Sequence, residues 1–293
     1  MKHFKVLISS SVILLILVFT ITVKEVKILN QYKAHKEEIA EVLNFENRLL
    51  DAREYLGEVL SFLGNEDEKI SDWGTLNRKA DNEYKSALKW GYLLYLIVFV
   101  YLLINYFTYQ NTTEKYRVLG IIFVLASVSF LYLGLQTPFL ELEAFNKDLT
   151  LSSGFFDQLS KTFEGRTYYL YQNKSVFQLI GLLFTGGNFL VGFALLIFSV
   201  IFPLIKLTST LIALITPKSV YAKKSVNVIN KLGKWSMADV FVSAVFLAVF
   251  SFTNMNEGVD TSAQTLIGLY FFLTFVILSI VSGIFLNKVV TNS

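Results

Sequence analysis

Leu232-Gly233-Lys234-Trp235-Ser236-Met237-Ala238-Asp239-Val240-Phe241-Val242 marks the point where a basic loop enters a hydrophobic run. Lys234 and Trp235 stand at the boundary, as interfacial anchors of a membrane span do. Asp239 follows about one helical turn inside. An ionisable side chain at that depth is costly, so it reads as a functional position. The stretch makes the chain a membrane protein, and composition agrees. Of 293 residues 54% are hydrophobic, the mean hydropathy is +0.52, and the apolar residues fall in blocks of roughly 18–25, as bilayer crossing requires.

Several chemistries are excluded. There is no cysteine, hence no disulfide, thiol redox centre, cysteine-ligated zinc or iron–sulfur cluster. The histidines are His3 and His35, so a metal would have to be held by oxygens, and no acidic calcium loop is present. There is no phosphate-cradling glycine loop and no nucleophile–base arrangement. The expectation is a protein that is not an enzyme and carries neither metal nor cofactor. Nucleic-acid binding has no support either, since the one strongly basic loop is short and topology accounts for it.

Six spans are expected, at about residues 6–23, 90–107, 118–135, 188–215, 237–252 and 265–286. The first follows Lys2 and Lys5. Its length, and the lack of a small-residue cleavage site before Lys24-Glu25, favour an uncleaved anchor over a signal peptide. Orientation follows from lysine and arginine in the short loops. Residues 109–117 carry Lys115 and Arg117 against Glu114, and residues 217–234 carry Lys218, Lys223, Lys224, Lys231 and Lys234 with no acid. Residues 254–261 carry Glu257 and Asp260 with no base. Both termini are then cytoplasmic.

Two segments remain outside. In residues 24–89, Ile39, Val42, Leu43, Leu49, Leu50, Leu56, Val59, Leu60 and Leu63 recur at helical spacing. Gly64-Asn65-Glu66-Asp67 breaks the pattern, and Trp73, Leu76, Tyr84 and Leu88 resume it. This predicts an extracytoplasmic helical hairpin, either a solvated spacer or a docking platform. Residues 136–187 are rich in aromatics, including Phe155, Phe156, Tyr168, Tyr169 and Phe177, and residues 175–185 read as a short amphipathic helix. Those rings either anchor at the interface or form a lipid-facing lip. A paired-carboxylate role for Glu141 and Glu143 finds little support.

The fourth span carries Phe202-Pro203-Leu204-Ile205-Lys206-Leu207-Thr208. Pro203 removes a backbone donor and is expected to kink the helix. Lys206 lies roughly 27 Å beyond Asn188 at about 1.5 Å per residue, a depth matched by Asp239 on the next span. An ion pair would offset part of an isolated cost of about 2.5–3.5 kcal/mol for each charge, with help from Ser236 and Thr208. The alternative is that Lys206 snorkels to the headgroups. Thr274 faces the same interior in this reading. Gly186, Gly187, Gly192, Gly268 and Gly283 are expected to let helices approach closely.

Phe202-Pro203-Leu204-Ile205-Lys206-Leu207, the run from Leu232 to Val242, Gly268-Leu269-Tyr270 and Ser175-Val176-Phe177 together resemble the paraquat-inducible protein A family over residues 118–286. The resemblance implies a tetraspanin-like four-helix unit in a bacterial inner membrane. It implies phospholipid as cargo, an MCE-domain periplasmic tunnel protein as partner, and Lys206, Ser236 and Asp239 as polar membrane positions. The chain departs from the family in lacking zinc ribbons and a second four-helix unit. The expected architecture is therefore all-α and polytopic: residues 1–110 as two membrane helices flanking the 24–89 hairpin, and 118–286 as the four-helix domain. The rival functions are a tetraspanin-like scaffold and an extracytoplasmic sensor subunit.

Overall fold

The computed structural model describes residues 2–47, 70–110, 114–153, 156–217, 219, 224–226, 229 and 259–291. Helix α1, Lys2–Val42, has 41 residues and is about 60 Å long at 1.5 Å per residue. That is about twice the hydrocarbon thickness of a bilayer, so the helix continues well past its 6–23 span. Helix α2, Ile70–Thr108, runs back alongside it. On α1 positions 18, 22, 25, 29, 32, 36 and 39, and position 43 just past its end, are buried or half-buried; on α2, positions 80, 84, 87, 91, 94 and 98 are. Alternating steps of four and three are the spacing of a coiled-coil seam. The order of contacts across it is antiparallel: Tyr32 packs on Tyr84 at 5.1 Å, His35 meets Glu83 at 2.8 Å, and Lys36 reaches Asn77 at 3.4 Å. The hairpin expected from the sequence is thus a seam continuous with its membrane helices; its residues 48–69 lie outside those described.

Helix α3, Lys115–Gln136, is the most enclosed of the apolar helices and packs chiefly on α7, Ile267–Thr291. Phe130 of α3 and Phe271, Phe272 and Phe275 of α7 are fully buried between them. Gly134 brings the backbones together: a Cβ there would lie 2.8 Å from the Cα and N of Phe272. Gly268 makes a similar approach to Pro138. Gly283 does not, since nothing among the described residues comes within 4 Å of a Cβ there, and Gly187 sits in a turn at φ 78°.

The long fourth span is continuous but irregular. Helix α5, Phe189–Leu196, passes through a π-turn, Ile197–Ile201, into α6, Phe202–Ile215. Phe202 N donates to Ile197 O, five residues back. Pro203 has no N–H to offer the preceding turn, and a π-turn accommodates that misfit. The irregularity expected at Pro203 takes this form. At the far end of α6, Arg117 Nε and Nη2 donate to Leu214 O at 2.8 Å and Ile215 O at 2.7 Å. A cation there satisfies carbonyls the helix leaves open and favours its negative pole. Lys115 lies over Tyr106 and Lys288 over Tyr116, so basic residues gather at this end.

The opposite end carries a three-stranded antiparallel sheet, which corrects the all-α expectation. Its strands are β1, Leu140–Ser153, β2, Phe156–Lys174, and β3, Asp260–Thr265, in the order β2-β1-β3. Leu140 pairs with both Lys174 and Thr265. The sheet is tied directly to the helices. Pro138 holds the preceding residue extended, Phe139 N donates to Lys174 O, and Gly268 N donates to Pro138 O. Leu140-Glu141-Leu142-Glu143-Ala144-Phe145 alternates with period two, a strand pattern. Its inward face, however, carries Glu141, Glu143 and Phe145.

β2 leads into α4, Val176–Thr185. Ser175 and Gln178 form a complete capping box at its start, satisfying donors a helix start leaves open. The amphipathic helix expected over residues 175–185 is therefore present. Among the described residues four helices are long and apolar enough to cross a membrane: Gly74–Thr108, Lys115–Gln136, Phe189–Ile215 and Ile267–Thr291. The first expected span falls within α1, and the fifth, 237–252, lies outside the described residues.

Candidate functional site

Of the expected polar membrane positions, Ser236 and Asp239 lie outside the described residues. Lys206 is half-buried on α6, about 25 Å from the start of α5 at 1.5 Å per residue. Thr208 is exposed and returns its hydroxyl to its own helix, at Leu204 O and Ile205 O. Thr274 is near the sheet end, about 10 Å into α7. It donates to Tyr270 O at 2.8 Å and meets the Tyr95 hydroxyl of α2 at 2.9 Å. The structure thus joins Thr274 to α2 and places Lys206 deeper, toward the basic end.

The aromatic positions also separate. Phe155 is outside the described residues, and Phe156 opens β2. Tyr168 is buried at 6% exposure, packed with Ile39, Leu43 and Phe145, and its N–H donates to Leu43 O at 2.9 Å. It joins the sheet to α1 and lines no lip. Tyr169 is exposed, stacks near Phe45 at 5.1 Å, and its hydroxyl accepts from Asn146. These two tyrosines stand roughly 20 Å from the end of β2 at about 3.3 Å per residue. Phe177 alone sits on α4, exposed beside Leu179 and Leu182, while Val176 and Ile180 turn inward.

Helix α4 folds back on α5 through Phe184, which packs on Phe189 and Phe193 at 6.2 and 5.0 Å. Phe189, Leu190, Val191 and Phe193 stay exposed. Together with the outer face of α4 they form a run of exposed apolar side chains, a shelf beneath the sheet, and contiguous apolar surface marks a contact with membrane or partner. A surface of that kind can lie in acyl chains at the headgroup boundary.

The structure also assembles a buried polar network where sheet and hairpin meet. Glu141 accepts from Tyr32 at 2.9 Å and from Tyr171 at 2.6 Å. Glu143 accepts from Arg166 at 2.9 Å. Burial, and then the Glu141 charge, push both phenols well above their ordinary range. Burial, followed by Glu141, also raises Glu143, with Arg166 opposing. Lys174 pairs with Glu37 at 3.0 Å, and Lys33 donates to Gln178, tying β2 and α4 to α1. Sequence reading missed this network. The signal was there in the Leu-Glu-Leu-Glu alternation and the β-forming Thr167-Tyr168-Tyr169-Leu170-Tyr171.

Residues 162–289 match the family model described as Paraquat-inducible protein A. The family resemblance seen in the sequence is borne out over that segment, which begins inside β2 and takes in α4 through most of α7. Comparison with curated proteins and with solved structures returns no match.

Proposed function

We propose, from the premise that residues 162–289 belong to the paraquat-inducible protein A family, that the chain is the bacterial inner-membrane subunit of an intermembrane lipid transport system working with an MCE-domain periplasmic tunnel protein. The basic end, with Lys115, Arg117 and Lys288, is cytoplasmic by the positive-inside rule, and both termini lie there. The sheet and the α1–α2 hairpin then project into the periplasm, where the tunnel protein docks. The single observation that carries the reading is the apolar shelf of α4 and α5 at the foot of the sheet. There a phospholipid passes between acyl surroundings and a partner without crossing open water.

Lys206, Ser236 and Asp239 serve as the polar cluster that moves the helices, by analogy with the family's polar positions. Asp239→Asn is expected to lower transfer of labelled phospholipid from proteoliposomes containing both proteins by at least about tenfold, since an ionisable residue retained in a span marks the working part of a transporter and the amide cannot titrate. Unchanged thermal unfolding in the variant would separate this loss from misfolding. Undiminished transfer would take Asp239 out of the mechanism.

A further inference from the structure

Glu25 is a buried carboxylate on α1. It occupies a seam position of α1, two residues beyond the expected 6–23 span, and is 0% exposed, and among the described residues neither of its oxygens has a hydrogen-bond partner. Gly91 of α2 makes room for it: a Cβ on that glycine would lie 2.9 Å from Glu25 Oε1 and 2.8 Å from Ile267 Cδ1 of α7. One seam step earlier, Thr22 Oγ1 is also buried and unpartnered. Two successive polar positions thus interrupt an apolar seam where α1, α2 and α7 meet.

Among the described residues no cation pairs with this carboxylate. On its own helix the nearest cation, Lys24, holds its ammonium 3.8 Å over the Trp90 ring of α2. On α2 the titratable neighbour is Tyr95, whose hydroxyl is engaged by Thr274. At this contact α7 presents Ile267 and the Phe271 ring. An ionised carboxylate buried without a partner in such a place is strongly disfavoured, and protonation lowers the penalty.

We infer that Glu25 is a proton-binding site, and that its bound proton keeps α1 packed against α2 and α7 at the sheet end of the membrane bundle. The step is an acid dissociation. The carboxyl O–H breaks, the proton passes to water at the sheet end, and the carboxylate left behind draws water in or turns outward, parting α1 from Gly91. Burial pushes Glu25 from the ordinary 4.5 up to about 8. Between those values the folded chain holds a proton that the unfolded chain has lost. Stability of the junction therefore falls as pH rises through that window and levels off above it.

The absence of cysteine makes the test clean. The full chain in lipid nanodiscs is followed by difference infrared spectroscopy between about pH 6 and about pH 10, a range that brackets the shifted carboxyl. In parallel, spin labels at Val23→Cys and Tyr92→Cys, both exposed, report the α1–α2 separation. The expected result is a protonated-carboxyl band lost with a midpoint near 8, and missing in Glu25→Gln. The label separation grows over the same range in the parent chain and stays at its low-pH value in Glu25→Gln and Glu25→Met. A band unaffected by Glu25→Gln, or a separation that is constant with pH or shifts equally in both variants, would overturn the inference.

Discussion

Gly134→Leu is expected to stop the chain from forming a monodisperse helical bundle in detergent. Even the first atom of a side chain at Gly134 would lie 2.8 Å from Phe272 Cα, Cβ and N. Those atoms cannot yield cheaply. Phe272 is fully buried, and the start of α7 is pinned by the bond from Gly268 N to Pro138 O. Overpacking of a well-filled core costs about 1–3 kcal/mol for modest insertions. Gly134→Ala should therefore lower stability by that order, and the three further carbons of leucine should exceed what the bundle withstands. Gly181→Ala on α4, with open space around the new Cβ, should be neutral or gain up to about 1 kcal/mol through helix propensity. Size-exclusion profiles and thermal unfolding of the three variants check the prediction. Equal behaviour of Gly134→Ala and Gly181→Ala would show that α3 and α7 do not approach as closely as described.

Glu141→Ala should be the most damaging single change on the sheet side. It removes the acceptor of two phenols at once, those of buried Tyr32 on α1 and half-buried Tyr171 on β2. Hydrogen bonds to a charged group contribute about 1.5–3 kcal/mol each, and orphaned buried donors add their own desolvation cost. A loss of about 3–5 kcal/mol is expected. Tyr171→Phe, which gives up one bond and leaves Glu141 with the other, should cost about 1.5–3 kcal/mol. Glu141→Gln keeps a carbonyl acceptor and should fall between the two. Urea or thermal unfolding, read by protection of the sheet amides in hydrogen exchange, measures the order. An Ala variant as stable as the parent would mean that the network does not hold sheet and hairpin together.

The membrane helices were legible because long apolar runs bounded by charges have few other readings, and the hairpin because its apolar residues step by three and four. The sheet was hidden by its own chemistry. In a half-buried strand the buried face is usually the apolar one. Here Leu140 and Leu142 lie on the less buried side while Glu141 and Glu143 turn inward, to partners on α1 and β2 that no local pattern announces. Tyr168 looked like an interfacial aromatic because ring content alone cannot tell a membrane anchor from the core of a sheet–helix joint. Glu25 was concealed differently. After an apolar run, Lys24-Glu25 reads as the end of a span, and only the seam on α2, with Gly91 opposite, shows that one of the two charges points in. The polar positions on α6 and α7 share a membrane but not a depth, which separation along the helices decides and residue type does not.

The central claim, that this chain exchanges phospholipid with a periplasmic tunnel protein, is tested most directly by native purification in mild detergent or nanodiscs followed by mass spectrometry of the co-purifying lipids and proteins. The account predicts phospholipid enriched over the bulk membrane together with an MCE-domain protein, and loss of the enriched lipid when Phe177, Leu179 and Leu182 on the exposed face of α4 are replaced by serine. Recovery of lipid in bulk proportions with no MCE-domain protein, repeated across solubilisation conditions, would contradict it.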